Sequence, residues 1–283
     1  MRHFSSLIYT ITIIFFSSFS CVSEDPSPTD INDPKNLIAQ YPEGSIFGPE
    51  GPTKIIDVTN PITGNTWMDR NLGATEAAVS SVSSNSLGYL YQWGRGNDGH
   101  QIRTSPTSTT LLNTRKTPAN SAFIIAPNFP FDWKTPQYIG GVVQDIGLWK
   151  DVNGINNPCP KGYRIPTRSE WEAERKSWTS FPGGQNNAVG ALRSPLKLPI
   201  AGRRAIQDGK VLYVGDGGYY WTTEDIGMLF ENKNILYQTS TALFIGATDA
   251  RIFGSSYRPG VSGTGDTWAG GRANGYCVRC IKD

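Results

Sequence analysis

The chain has 283 residues, 38% of them hydrophobic and 18% charged, which supports one large or two small folded domains. Its 31 Gly and 19 Pro, together with 8 Trp and 12 Tyr, suit a loop-rich fold of short strands and speak against a helical bundle. The net charge of +2 is scattered without a basic block, so nucleic acid is not an expected partner.

Residues 1–20, MRHFSSLIYTITIIFFSSFS, place Arg2 ahead of a short apolar run over 7–16. That run is too short to span a bilayer and reads as a secretory signal peptide. Cys21 follows directly on a small-residue site. The junction resembles a lipobox, whose cysteine thiol receives a diacylglyceryl group; Phe19 and Ser18 depart from the usual pattern, and a plain signal peptide is the alternative. Residues 21–52 are polar and proline-rich, as a flexible linker is. Ser23-Glu24-Asp25 resembles the export signal of Bacteroidetes surface lipoproteins. The resemblance implies a lipid anchor at Cys21 in the cell outer membrane, with the domain exposed outside.

From residue 53 the pattern changes. TKIIDVTNPITGNTWMDRN reads as two strands around an Asn-Pro and Thr-Gly-Asn turn. Residues 96–136, rich in Thr, Ser, Asn and Pro, read as a long surface insertion, with His100 a solvated loop histidine. Thr167 and Glu170 form a capping box after Pro166, so a helix starts there, with Trp171 and Trp178 on its buried face. Glu172 and Lys176 pair on its outside; Glu170, Glu172 and Glu174 otherwise read mostly as cap or solvated face. Residues 198–223 hold short strands punctuated by Asp-Gly and Gly-Gly turns, residues 241–257 continue that pattern, and GYCVRCIKD makes a final strand.

Four cysteines stand at 21, 159, 277 and 280. If Cys21 carries lipid, an odd number is left. Cys277-Val-Arg-Cys280 is a CxxC, but it lies in a β run rather than at a helix start, and a zinc site needs further ligands that the chain does not offer nearby. Cys159, held between Pro158 and Pro160, reads as one end of a structural staple to Cys280. Closing a loop of about 120 residues stabilises by roughly 4–5 kcal/mol through the entropy of the unfolded chain.

TWMDRNLGA, LGYLYQWGRGNDGHQ, NNPCPKGYRIPTRSEWEAE, SPLKLPIAGRR, GYYWTT and RANGYCVRC, in this order, resemble the Fibrobacter succinogenes major paralogous domain. The resemblance spans residues 53–283. It implies an α+β, C-type-lectin-like fold, loop-rich, with short antiparallel strands and few helices, in the branch that includes the formylglycine-generating enzyme. It places the cysteine pair on Cys159 and Cys280 and leaves Cys277, where a serine is usual, as the odd thiol. Alternation along a strand points 277 and 280 to opposite faces.

The resemblance favours a non-catalytic binding domain, an adhesin or receptor for a glycan or a protein. An accessory subunit of a surface or fimbrial complex is the alternative. An oxidase like the formylglycine-generating enzyme is disfavoured, because the staple takes one cysteine of the close pair. Residues 246–275 are rich in Gly, Ser, Tyr, Arg and Asn and read as the ligand face. Arg251, Tyr257, Arg258, Asp266 and Arg272 offer reach and directional hydrogen bonds, while Trp268 and Phe253 anchor the loops. Asp249 and Asp266 have oxygens that suit Ca²⁺, but the Glu-Pro-Asn and Trp-Asn-Asp motif of calcium lectins is missing, so no metal or cofactor is expected.

Overall fold

The computed structural model describes residues 30–113, 120–128, 131–135, 138–139, 142–143, 147–229, 236–254 and 270–283. In chain order the first elements are α1 (Pro34–Leu37), β1 (Asp57–Thr59), β2 (Thr66–Met68), β3 (Tyr91–Gln92), β4 (Thr107–Ser108), β5 (Phe123–Ile124), β6 (Tyr138–Ile139), β7 (Val142–Val143) and β8 (Tyr163–Arg164). Then come α2 (Arg168–Ser177), α3 (Ala188–Arg193), β9 (Ala201–Arg204), β10 (Val211–Val214), β11 (Gly218–Leu229), β12 (Leu236–Ile245), β13 (Ala250–Gly254), β14 (Gly275–Tyr276) and β15 (Ile281–Lys282). The chain is thus mixed α and β, strand-rich, with short helices.

One sheet has the order β1-β2-β15-β8, antiparallel throughout. A second runs β13-β12-β11-β9-β14-β3, with β10 hairpinned onto β9. The β1–β2 turn forms as its residues dictate: the Asn60 side chain accepts from Ile62 N, and Gly64 takes the positive φ of 76° that closes the loop back on Asn60 O. The final strand is two strands. Residues 277–280 lie between β14 and β15, so the segment bridges both sheets.

Helix α2 carries its capping box as expected: Thr167 Oγ1 accepts from Glu170 N at 3.2 Å, and Thr167 N donates to Glu170 Oε2 at 2.7 Å. Trp171 and Trp178 are fully buried; Trp171 packs on Trp67 at 4.8 Å between centroids and donates its indole N–H to Trp221 O. Glu172 takes Arg175 as its closer partner, at 2.7 Å, with Lys176 at 3.9 Å. Glu174 departs from the solvated face. It is buried, and its carboxylate accepts from Asn60 Nδ2 and Trp178 Nε1, which ties the β1–β2 turn to the helix.

Cys159 and Cys280 are bonded, and Cys277 is the free, buried cysteine. The disulfide sits in the core around Trp93, Trp149, Trp221 and Tyr276. Cys277 sits in the other core, among Trp67, Trp171, Tyr220 and Ile245.

Three further expectations are overturned. The linker read over residues 21–52 is folded from residue 31 on: the compact unit is Ile31–Asp283. Leu37 and Tyr41 enter the disulfide-side core, Tyr41 Oη donates to Thr53 O at 2.6 Å, and Gln101 Nε2 holds Ile46 O at 2.7 Å. Burial of that apolar surface outweighs the proline-rich composition. The 96–136 stretch is a surface segment only in part where it is described: residues 106–107, 109–111 and 127–128 are exposed, but other parts of it enter the core. Asn97, Asp98, His100 and Gln101 are buried, as are Phe123, Ile124 and Trp133. Finally, His100 is fully buried rather than solvated. Its Nδ1 bonds Asp98 Oδ1, its Nε2 accepts from Gln92 N at 3.0 Å, and Arg95 pairs with Asp98 at 2.7 Å. Polar residues enter the interior here because they satisfy one another.

Candidate functional site

A cleft of about 590 Å³ opens among three segments: residues 109–111 after β4, residues 125–128 after β5, and the Gln207-Asp208 turn between β9 and β10. Its size lies within the range of small-ligand sites. The segments are distant in sequence, and local hydrogen bonds join them. Strands β4 and β5 pair in parallel, Ile125 N donates to Ser108 O at 2.8 Å, and Ala126 N donates to Ile206 O at 3.1 Å.

Arg204 at the end of β9 fastens all three. Its Nη1 and Nη2 donate to Ser105 Oγ and Ser105 O, both at 2.6 Å, just before β4. Its Nε donates to Gly209 O at 2.8 Å behind the Asp208 turn. The guanidinium lies over the Phe123 ring of β5 at 4.3 Å. Burial lowers its pKa to about 10, so it stays charged at neutral pH. Gly209 has φ 69° and its Cα faces Thr107; a Cβ there would come within 2.6 Å of Thr107 Cγ2. The turn therefore needs glycine to close against β4.

The floor carries Asp132. Its Oδ1 accepts from Lys134 N at 3.2 Å, and Oδ2 lies 3.5 Å from Arg272 Nη1. Arg272, read from sequence as a ligand contact, is buried, with its guanidinium 4.3 Å over the Trp93 ring. It supports the floor instead of presenting a surface; the indole face and the Asp132 carboxylate offset the cost of burying its charge. Asp208, at the rim, pairs with Lys210 at 3.0 Å. Thr109, Asn128 and Gln207 line the cleft with side chains that have no partner among the described residues. Leu111 and Ile125 supply apolar wall.

Arg251 is exposed on β13, bonded to Asp249 at 2.6 Å and stacked 4.7 Å over Phe244. It is not part of the cleft lining. Phe253 is half-buried against Tyr219 and Tyr276. Cys21, Tyr257, Arg258, Asp266 and Trp268 lie outside the described residues. Asp249, one of the two aspartates considered for Ca²⁺, thus has Arg251 as its partner, and among the described residues no three His, Cys, Asp or Glu side chains converge on a metal position.

Sequence reading missed Thr109, Asn128, Gln207 and Asp208. The one signal available was the Asp208-Gly209 turn; what places it against 109–111 is Arg204, a long-range contact with no local signature.

No family model matches this chain, and no curated protein or solved structure matches it. The resemblance to the Fibrobacter succinogenes major paralogous domain therefore rests on the motifs quoted for it.

Proposed function

We propose that the chain is a non-catalytic binding module of C-type-lectin-like fold, an adhesin or receptor for a glycan or protein, displayed on the outer membrane through lipid on Cys21. The observation that carries this reading is the cleft fastened by Arg204. Loops that must bind repeatedly are best held in one geometry, and a buried guanidinium that spans three segments does this. Thr109, Asn128 and Gln207 offer hydroxyl and amide groups, which orient a ligand and do not transfer protons readily, and the two carboxylates of the lining, Asp132 and Asp208, are each ion-paired. A screen of residues 22–283 against glycan and protein arrays tests the reading. Saturable binding that is lost on cleft substitution supports it; no binding, or binding indifferent to the cleft, contradicts it.

The accessory-subunit reading has one observation in its favour. Val82, Tyr213 and Val214 are exposed apolar side chains, and Val82 lies against Gly215 beside the last two. A subunit contact is the use that such side chains serve when they adjoin.

A further inference from the structure

We infer that the cleft takes a neutral, polyhydroxylated ligand, one pyranose ring or more of a glycan chain. The inference rests on the binding function proposed above and narrows its ligand. Charge decides the first part. The two carboxylates of the lining each hold a cation of this chain: Asp132 has Arg272 at 3.5 Å and Asp208 has Lys210 at 3.0 Å. A cationic ligand meets acids already compensated, and an anionic ligand meets cations already held by those acids. A neutral ligand incurs neither penalty.

Hydrogen-bond chemistry decides the second part. Thr109, Asn128 and Gln207 each carry both a donor and an acceptor, and no described residue uses them. A sugar hydroxyl is also both donor and acceptor, so a row of hydroxyls saturates such a set without leaving one kind of group over. Asp208, exposed at the rim, adds carboxylate oxygens whose second lone pairs accept from the same hydroxyls beside Lys210. Leu111, 36% exposed, and Ile125 add apolar lining, which suits the C–H face of a pyranose. The cleft of about 590 Å³ has room for a ring and its substituents.

Residues 22–283, which contain the compact unit Ile31–Asp283, are to be applied to an array of neutral, sialylated and sulfated oligosaccharides, with a peptide array alongside. The expected result is binding to neutral oligosaccharides, little changed between low and high salt. The Asn128→Ala/Gln207→Ala double variant is expected to bind about tenfold more weakly or worse, and Thr109→Ala more weakly as a single change. All three positions are at the cleft mouth, and melting temperatures equal to the unaltered chain establish that the fold is kept. Binding confined to charged oligosaccharides overturns the inference. Peptide binding lost in the same variants overturns it too, while leaving the binding function standing. Neutral-glycan binding unaffected by these variants removes the cleft as its site. Silence on both arrays overturns the inference and the binding function together.

Discussion

Cys159 and Cys280 are joined across 121 residues of sequence with their Cα atoms 6.0 Å apart, while Cys277, three residues before Cys280, is buried in a different core. The bond ties the segment ahead of α2 to the strand that ends the chain. Replacing both bonded cysteines by alanine is expected to cost about 2–5 kcal/mol in denaturant unfolding. Peptide mapping without reduction checks the pairing; a linked peptide that contains Cys277 contradicts it.

Burial pushes the Cys277 thiol up to about 11. The thiolate is the reactive form, so the native chain is expected to resist alkylation at neutral pH and to react at Cys277 once unfolded. Mass spectrometry after iodoacetamide treatment with and without urea reads this. Rapid labelling of the native chain at that position means the thiol is accessible.

Acid is expected to weaken the fold through His100. Burial, with Arg95 next, lowers its pKa from the ordinary 6.5 to about 4. As pH falls through 6.5 the unfolded chain takes up a proton that the folded chain refuses until about 4. Stability is therefore lost across that window, by on the order of 3 kcal/mol at its lower end. Burial raises the Asp98 carboxyl, but His100 and Arg95 outweigh it and hold its pKa below 3.8, so its share of the loss comes at lower pH. Glu174, whose carboxyl burial raises, acts in the opposite direction. Urea unfolding of the unaltered chain and of His100→Gln, at several values between pH 6.5 and 4, isolates the histidine. A smaller acid loss in the variant is expected; equal slopes contradict the assignment.

The local signals were legible in the sequence. Thr167 and Glu170 cap α2, Asn60 and Gly64 close the β1–β2 turn, and the cysteine pair matches the staple. Each depends on neighbours within a few residues or on chemistry with one partner. Polar burial was not legible. His100 and Arg95 look solvated by type, and they enter the core only because Gln92, Asp98 and the 120–122 backbone meet them there. The cleft was hidden for the same reason: Arg204 reaches Ser105, 99 residues away, and nothing near either residue announces the other. Leu37 and Tyr41 were hidden by composition, since two anchoring side chains do not offset prolines in a windowed reading.

Lipid display has its own test. Cys21→Ala is expected to block processing between Ser20 and Cys21 and to abolish fatty-acid labelling. Alanine at Ser23, Glu24 and Asp25 together is expected to leave the protein shielded from protease added to intact cells. Unchanged labelling in the first case, or unchanged protease sensitivity in the second, contradicts the anchor or the surface signal respectively.

The most direct test of the central claim, that the Arg204-fastened cleft is where ligand sits, is hydrogen exchange of residues 22–283 with and without the neutral oligosaccharide that binds best on the array. Slower exchange is expected in residues 107–111, 125–128 and 207–209. Slowing confined to β13 around Arg251, or to β10 around Tyr213, with the cleft segments unchanged, would contradict it.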